Sequence, residues 1–403
     1  MKGDCIMMTK TGGVRRALSG RVTAAAFLAC ALASTGSALG APRPLNIMIT
    51  GYWPPTNNML RQWSTNPAQN PGAWTGGNWE GRGYQLYAYF PEFPGMSEPS
   101  YGKGTGDFEV DYQDTTSDFL RIVDQLKPVA IVSFSRAGTA RGWEMEPAYQ
   151  RFRVVSTETA PAGRTISLYS TDYLAPSRPT DSYIVADAVG TVYPATLPMQ
   201  QVVDAVRAVF PSTQIDPFVA AYNPATPNSY DYSGSFLSGY MPYLAARYRA
   251  QHASPTDPLY CAMSGHIHVG GTGLYNQNAW CTQAAEITLR EVIKALDQTL
   301  PVWLGKCSPA DLACDTGEAL SSTNRGCTNN GINEGDYNAF FSAGGFFEQS
   351  SQGPGAIGAF CDVAYDNGEA LPPFGPEQIG PSNSGVNEGD YNLFFNTFFL
   401  PCS

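Results

Sequence analysis

Short apolar runs alternate with longer amphipathic stretches between residues 42 and 300, and this alternation constrains the fold more than any other feature of the sequence. The runs PLNIMITGYW and PVAIVSFS have the length and composition of buried strands. Between them, DTTSDFLRIVDQLK carries apolar residues at helical spacing, with Asp114, Thr115 and Thr116 as N-cap candidates. Alternating strands and helices predict an α/β fold with three layers, α/β/α, in which the middle layer is a mostly parallel sheet.

Three further amphipathic helices are predicted in the same region. They cover LPMQQVVDAVRAVF, GYMPYLAARYRAQH and TQAAEITLREVIKALDQTL. With 403 residues, the chain is long enough for more than one domain. Because 43% of the residues are hydrophobic and 15% are charged, the chain can bury a sizeable core, and its composition excludes an intrinsically disordered protein.

The charge balance bears on the partners of the protein. The formal net charge is -11, and the sequence contains no sizeable cluster of lysines and arginines. We therefore predict no nucleic-acid partner, since such proteins carry basic patches. After the N-terminal region, no apolar run is long enough for a transmembrane helix. The acidity suits a soluble exported protein or one that binds cations.

Residues 1–40 have the pattern of a signal peptide. Arg15 and Arg16 precede the apolar run VTAAAFLACALA, which is too short to span a bilayer, and small residues follow as far as Gly40. The alternative is a buried helix of the mature protein. We expect an exported protein that resides in the periplasm, at the cell surface or outside the cell.

The distribution of the 9 cysteines is uneven. Cys5 and Cys30 would be removed with the signal peptide. The others are odd in number and all follow residue 260: Cys261, Cys281, Cys307, Cys314, Cys327, Cys361 and Cys402. In an oxidising compartment most of them should form disulfides, with at least one thiol left free or paired between chains.

The C-terminal region, residues 307–403, contains an internal duplication. DLACDTGEAL at 311–320 matches DVAYDNGEAL at 362–371, and GINEGDYNAFF at 331–341 matches GVNEGDYNLFF at 385–395. Two matched pairs in the same order indicate two copies of one unit. We predict a small C-terminal repeat domain that follows the α/β domain of residues 42–300.

Each repeat unit has the side chains that a hard cation such as Ca²⁺ prefers, namely carboxylate and amide oxygens near a glycine turn. The predicted ligands are Asp311, Asp315, Asn333 and Asp336, with Asp362, Asp366, Asn387 and Asp390 in the second unit. The units resemble dockerin modules of the planctomycete type. This resemblance implies attachment to a surface or a protein partner. The alternative is an acidic repeat that disulfides hold together without a metal.

Four motifs between residues 45 and 300 resemble, in the same order, those of pyroglutamyl peptidase I, or pyrrolidone-carboxylate peptidase. They are the loop TGYWPP at 50–55, the helix start at Leu197 and Pro198, the segment SGSFLSG at 233–239, and HIHVG at 266–270. The resemblance implies a hydrolase that removes an N-terminal pyroglutamyl or related group from a small peptide or amide. It also implies that catalysis needs no cofactor.

The resemblance also implies roles for individual residues. Ser238 takes the position of the family's nucleophilic Cys, and His268 takes that of the general base. The family's acid falls on Glu146 when no gap is introduced, or on Glu144 after a small shift. A serine needs an oriented imidazole to attack a carbonyl, and a Ser-His-acid arrangement provides one. Tyr52 and Trp53 are implied as the aromatic wall of the substrate pocket.

Other interpretations of these residues are open from the sequence. A serine at the nucleophile position also fits a non-catalytic surface binding protein built on a degenerate peptidase fold. Ser238 suits a helix N-cap, and His268 suits a buried structural histidine. The pair formed by His266 and His268 would suit a metal ion if His252 or a carboxylate supplied a third ligand.

Overall fold

A computed structural model describes residues 43–95, 104–151, 187–188, 190–221 and 237–402. The predicted signal peptide, residues 1–40, lies outside the described residues, as does most of the segment SGSFLSG. Export therefore stays a prediction.

The strands follow the chain in a simple order. They are β1 (Leu45–Thr50), β2 (Tyr84–Tyr89), β3 (Pro91–Glu92), β4 (Thr105–Gly106), β5 (Ala130–Ala137), β6 (Gly142–Glu146), β7 (Ala148–Gln150), β8 (Val192–Pro194), β9 (Asp216–Val219) and β10 (Met263–Gly270). The helices are α1 (Pro54–Leu60), α2 (Tyr112–Leu126), α3 (Met199–Val209), α4 (Leu237–Gln251), α5 (Gly271–Leu274), α6 (Asn278–Thr299), α7 (Glu334–Phe340), α8 (Phe346–Ser350) and α9 (Glu388–Phe398).

The main sheet has the strand order β2-β1-β5-β10-β6-β9. Its strands pair in parallel, except that β10 and β6 run antiparallel. Buried residues of α1, α3 and α6 share one hydrophobic cluster with one face of the sheet, and those of α2 and α4 share a second cluster with the other face. The predicted three-layer α/β/α fold with a mostly parallel sheet is confirmed.

The pleat of β10 decides which side of the sheet carries its histidines. Ile267 and Val269 belong to the cluster on the α6 side. Because successive side chains of a strand point to opposite faces, His266 and His268 lie on the other face, together with α4. Helix α4 packs on β10 from that side.

Helix α2 begins at Tyr112, so the predicted N-cap positions at Asp114, Thr115 and Thr116 are wrong. The side chain of Asp111 accepts a hydrogen bond from the backbone N–H of Asp114 at 3.3 Å, which satisfies one of the free donors of the first turn. Thr116 instead donates its hydroxyl to the carbonyl of Tyr112, as threonines inside helices do.

The two repeat units fold in the same way around their helices. Asn333 caps α7 by accepting from the N–H of Gly335 at 2.7 Å, and Asn387 caps α9 by accepting from that of Gly389 at the same distance. The rings of Phe340 and Phe394 stack at 4.0 Å between the two units. The duplicated sequence thus forms a pair of helices that share one core.

Two disulfides join cysteines of the repeat region: Cys307 with Cys402, and Cys314 with Cys327. Cys261, Cys281 and Cys361 are free and buried. Burial raises the pKa of each of these three thiols to about 12, so they stay protonated and unreactive near neutral pH. The expectation that most cysteines pair therefore applies to the repeat region, while the α/β region buries its thiols as small apolar groups.

One loop of the repeat region contacts the α/β region through hydrogen bonds. Arg325 donates to the carbonyl of Leu300 at 2.6 Å, and Asn78 donates to the carbonyl of Gly326 at 3.0 Å. The division into domains 42–300 and 307–403 stays a prediction. Both hydrogen bonds join a residue of one predicted domain to a residue of the other. In the described part of the chain, no helix is both long enough and apolar enough to cross a lipid bilayer.

Candidate active site

Three neighbouring strands of the sheet place polar side chains on the face that α4 covers. In the register of the sheet, His266 of β10 lies between Ser133 of β5 and Glu146 of β6. Two residues further along β10, His268 lies between Ser135 of β5 and Glu144 of β6. Because all three strands are in register and alternate in the same way, two rows of Ser, His and Glu lie next to each other in the centre of the sheet.

His268 is directed toward the carboxylates of β6. Its Nδ1 lies 3.3 Å from Oε1 of Glu146 and 3.6 Å from Oε2 of Glu144. Its other ring nitrogen, Nε2, is buried and has no hydrogen-bond partner among the described residues. Burial lowers the pKa of His268, but the negative charges of Glu146 and Glu144 outweigh that effect and hold this pKa above its usual range.

The two glutamates differ in their surroundings. The Glu146 side chain is 2% exposed, whereas that of Glu144 is 18% exposed. A carboxylate shielded from water interacts more strongly with a neighbouring charge. Both glutamates predicted from the sequence therefore lie at the imidazole, and the buried Glu146 interacts with it more strongly.

His266 is directed toward the opposite strand, β5. Its Nδ1 lies 2.7 Å from the hydroxyl of Ser133, and its Nε2 lies 2.7 Å from the hydroxyl of Ser135. Burial, together with the nearby His268, lowers the pKa of His266 well below its usual range. The ring is therefore neutral at neutral pH, and hydroxyl groups hold both of its nitrogens.

Ser238 lies in the first turn of α4 and is half-buried. No hydrogen bond joins its hydroxyl to His268 within the described residues. The helix does pack on β10, and the Cα positions of the two elements are neighbours on the histidine face. Ser238 therefore lies on the same side of the sheet as the histidines, and its catalytic role stays a prediction.

Tyr52 and Trp53, the predicted aromatic wall, are both buried but point to different neighbours. The ring of Tyr52 contacts Phe108 edge-on at 6.1 Å, on the α2 side of the sheet. The guanidinium of Arg136 lies 5.1 Å from the ring of Trp53, which also contacts Tyr275. Trp53 thus lies beside Arg136 near the carboxyl end of β5, whereas Tyr52 belongs to the core on the side of the sheet that carries the histidines.

Gly270, at the end of β10, leaves room for the loop between β5 and β6 to pass close by. A side chain at Gly270 would meet backbone atoms of Arg141 and Gly142 at 2.6 Å. The loop between β5 and β6 therefore approaches the end of β10 more closely than any other residue would permit. This close approach brings the glutamates of β6 beside the histidines of β10.

Sequence reasoning missed the role of Ser133, Ser135 and Tyr149. The hydroxyl of Tyr149 accepts from the N–H of His266 at 2.8 Å and donates to the carbonyl of Glu146 at 2.9 Å, which ties β10 to the end of β6. The pattern SFS in a buried strand was an available signal for the serines, since alternate residues of a strand share one face. No comparable signal marks Tyr149.

The carboxylates of the repeats form two equivalent hydrogen-bonded clusters. Asp336 accepts from the backbone N–H groups of Leu312, Ala313 and Asn333, and Asp390 does the same in the second unit. Both oxygens of these two aspartates are thus used to hold the unit together. Asp311, Asp315 and Asp366 also accept hydrogen bonds at both oxygens. Among the predicted carboxylate ligands, Asp362 differs, because its buried Oδ1 has no hydrogen-bond partner in the part of the chain that the structure describes.

Comparisons with known proteins give similar structures but no family. No protein-family model matches the chain, and no curated protein matches it. A pyrrolidone carboxyl peptidase from Thermococcus litoralis is 15% identical, covers 63% of this chain and 95% of its own, and has a TM-score of 0.38. A pyrrolidone carboxyl peptidase from Pyrococcus furiosus is 14% identical, covers 62% of this chain and 99% of its own, and has a TM-score of 0.39. Pyroglutamyl peptidase I from Bacillus amyloliquefaciens is 13% identical, covers 61% of this chain and 94% of its own, and has a TM-score of 0.36.

Proposed function

We propose that this chain is an exported hydrolase that cleaves an N-terminal pyroglutamyl group or a related amide. Ser238 is the nucleophile, His268 is the base, and Glu146 orients the imidazole. The observation that carries this proposal is the position of His268, whose Nδ1 faces two carboxylates while its Nε2 has no hydrogen-bond partner among the residues that the structure describes. A Ser-His-acid site needs an imidazole in this state.

The local geometry supports the direction of proton transfer. With Nδ1 protonated toward Glu146, the lone pair of Nε2 is available to take the proton of the Ser238 hydroxyl. The alkoxide oxygen then bonds to the amide carbon, and the C–N bond breaks as His268 returns the proton to the leaving amine. Water, activated by the same nitrogen, cleaves the resulting ester and releases Ser238.

The start of α4 also supplies donors for the developing oxyanion. The first backbone N–H groups of a helix have no partner within the helix. Those of the first turn of α4 lie next to Ser238. Backbone N–H groups directed at a carbonyl oxygen stabilise a tetrahedral intermediate by several kcal/mol, about 3 to 4 per donor.

The test compares two serines in a fluorogenic pyroglutamyl-amide assay. We expect Ser238→Ala to lower kcat by about 10³-fold or more, since removal of one member disables the whole triad. Ser135→Ala is the matched control, because Ser135 lies beside His266 on the same face but has no role in this mechanism. Unchanged turnover in Ser238→Ala, or loss of turnover in Ser135→Ala alone, would remove Ser238 as the nucleophile.

The rival function is that of a non-catalytic binding protein on the same fold. The absence of a hydrogen bond between Ser238 and His268 within the described residues favours this alternative. A fluorophosphonate probe followed by mass spectrometry separates the two. Labelling at Ser238 that is lost in His268→Gln supports the hydrolase, whereas no labelling in a folded protein that still binds a pyroglutamyl peptide supports the binding protein.

For the C-terminal repeats, we propose a calcium-binding role in attachment to a surface or protein partner. The supporting observation is Oδ1 of Asp362, which is buried and accepts no hydrogen bond from any residue in the described ranges. Calorimetry of the full chain with Ca²⁺ tests the proposal. Heat of binding that falls in Asp366→Asn supports it, and a titration without heat in the wild type would exclude it.

A further inference from the structure

His266 is a buried titratable group that the proposed mechanism does not use. Its side chain is 1% exposed, and it lies on the same strand face as the base His268. An apolar residue would fill this position at a lower cost, because burying a polar ring requires hydrogen-bond partners. The surroundings of His266 therefore need a separate explanation.

The hydrogen bonds of His266 determine which nitrogen carries its proton. The hydroxyl of Ser133 lies 3.3 Å from the carbonyl oxygen of Gly265, which can only accept. Ser133 therefore donates to Gly265 and accepts from Nδ1–H of His266. It follows that Nε2 of His266 carries a lone pair, to which the hydroxyl of Ser135 donates.

Three possible ligand atoms converge at this point. One carboxylate oxygen of Glu146 and one ring nitrogen each of His266 and His268 lie within 4.8 Å of one another, and all three side chains are buried. We propose that Glu146, His266 and His268 form a binding site for a divalent transition-metal ion, with Zn²⁺ as the best match. Two imidazoles and one carboxylate are a donor set that Zn²⁺ accepts, with a fourth position left for water.

The neighbouring groups suit such a site. A histidine that ligates a metal generally donates its other ring N–H to a hydroxyl, carbonyl or carboxylate, which fixes the ring. Ser133 takes this place at Nδ1 of His266. Hard cations such as Ca²⁺ and Mg²⁺ prefer oxygen ligands, so the pair of imidazoles disfavours them here.

Metal binding at this site would regulate the proposed hydrolase, and this consequence rests on the proposed function. A bound ion would occupy the carboxylate of Glu146 and a lone pair of His268, which the Ser-His-acid mechanism needs. Zn²⁺ should therefore inhibit hydrolysis reversibly, and a chelator should restore it. The existence of the metal site does not depend on hydrolysis.

Visible absorption of Co²⁺ tests the site directly. The full-length protein is titrated with Co²⁺ in excess Ca²⁺, which saturates the acidic repeats, and the d–d bands of protein-bound Co²⁺ are followed. We expect one Co²⁺ per chain, displaced by Zn²⁺. His266→Asn should weaken the apparent affinity by at least about tenfold, the scale of effects seen when the metal environment is disturbed.

The chain offers a matched control. It contains 3 histidines. The third, His252, lies at the end of α4 and contacts Asp257 at 2.8 Å. His252→Asn should bind Co²⁺ as the wild type does. Circular dichroism verifies folding, and Glu146→Gln replaces His266→Asn if that variant does not fold.

The outcomes separate this proposal from the proposed function. No Co²⁺ band in the wild type, equal affinity in His266→Asn and the wild type, or loss of the band in His252→Asn would each overturn the metal site. The band is measured without substrate and should persist in Ser238→Ala. A protein that binds Co²⁺ but hydrolyses nothing would therefore refute the hydrolase and retain the metal site.

Discussion

The imidazole rings of His266 and His268 lie 4.8 Å apart and are almost perpendicular, at 87°. Burial and the nearby His268 lower the pKa of His266, whereas two carboxylates outweigh burial and raise the pKa of His268. The two pKa values shift in opposite directions because the neighbouring strands differ: β5 places hydroxyl groups beside His266, and β6 places carboxylates beside His268. One strand therefore presents a neutral imidazole and a protonatable imidazole next to each other.

The raised pKa of His268 predicts the pH dependence of hydrolysis. A general base must be neutral, so kcat/KM should fall on the acid side with a midpoint above about 6.5, the ordinary value for histidine. Glu146→Gln should move this midpoint to lower pH and reduce the maximal rate, because it removes the stronger of the two neighbouring charges. Glu144→Gln should move it less. A pH profile that does not shift in Glu146→Gln would contradict this account.

Gly270 should be intolerant of a side chain. Gly270→Ala places a methyl group 2.6 Å from backbone atoms of Arg141 and Gly142, which cannot move without displacing β6. We expect a loss of about 1 to 3 kcal/mol in the free energy of unfolding, the range for overpacked sites. Gly138→Ala is the control, since a Cβ there meets nothing within 4 Å. Equal stability of the two variants in urea denaturation would show that the close approach is not required.

The two disulfides should contribute unequally to stability. Cys307 and Cys402 are separated by 95 residues, and Cys314 and Cys327 by 13. A longer closed loop restricts the unfolded chain more, by about 4.7 kcal/mol for about 100 residues against about 3 for about 15. Replacing both cysteines of the long loop by serine should therefore lower the unfolding free energy more. A larger loss from the short loop would exclude chain entropy as the dominant effect.

Asp390 should make the repeat region more stable as the pH falls. Burial raises the pKa of its carboxyl to about 6, in spite of the backbone N–H groups of Asn387, Ala364 and Val363. A carboxyl whose pKa is raised in the folded state contributes stability that is complete below its unfolded pKa, about 4, and is lost as the pH rises through about 6. The wild type should therefore gain stability relative to Asp390→Asn between pH 7 and pH 5. Thermal unfolding monitored across this range gives the difference, and a constant difference would contradict the raised pKa.

The sequence was sufficient for some of the elements and for part of the site. Periodicity located α3 and α6, and the apolar runs located β1 and β5, because these residues repeat at the spacing of the structure they form. The helix α4 was also located, but it is buried on nearly all sides and is not amphipathic as predicted. The predicted N-terminus of α2 was wrong. Asp111, Asp114, Thr115 and Thr116 can all cap a helix, and the sequence alone does not show that Asp111 is the one that does. His268 and both glutamates were identified through the motifs of the resembled family.

The remaining features of the site depend on contacts between distant segments. Ser135 and His266 are far apart in the sequence, and their hydrogen bond exists because β5 and β10 pair in parallel in one register. A shift of one residue would move every side chain of β10 to the other face. No local pattern encodes that register.

By itself, the sequence determined the layered α/β class, the duplication and the types of side chain available for chemistry, because composition and periodicity are properties of the chain alone. The tertiary structure decided which groups meet: His268 with Glu146, and His266 with Ser133 and Ser135. The physical reason is that charge interactions and hydrogen bonds act over a few ångströms in a buried site, and strand pairing and loop approach set those distances.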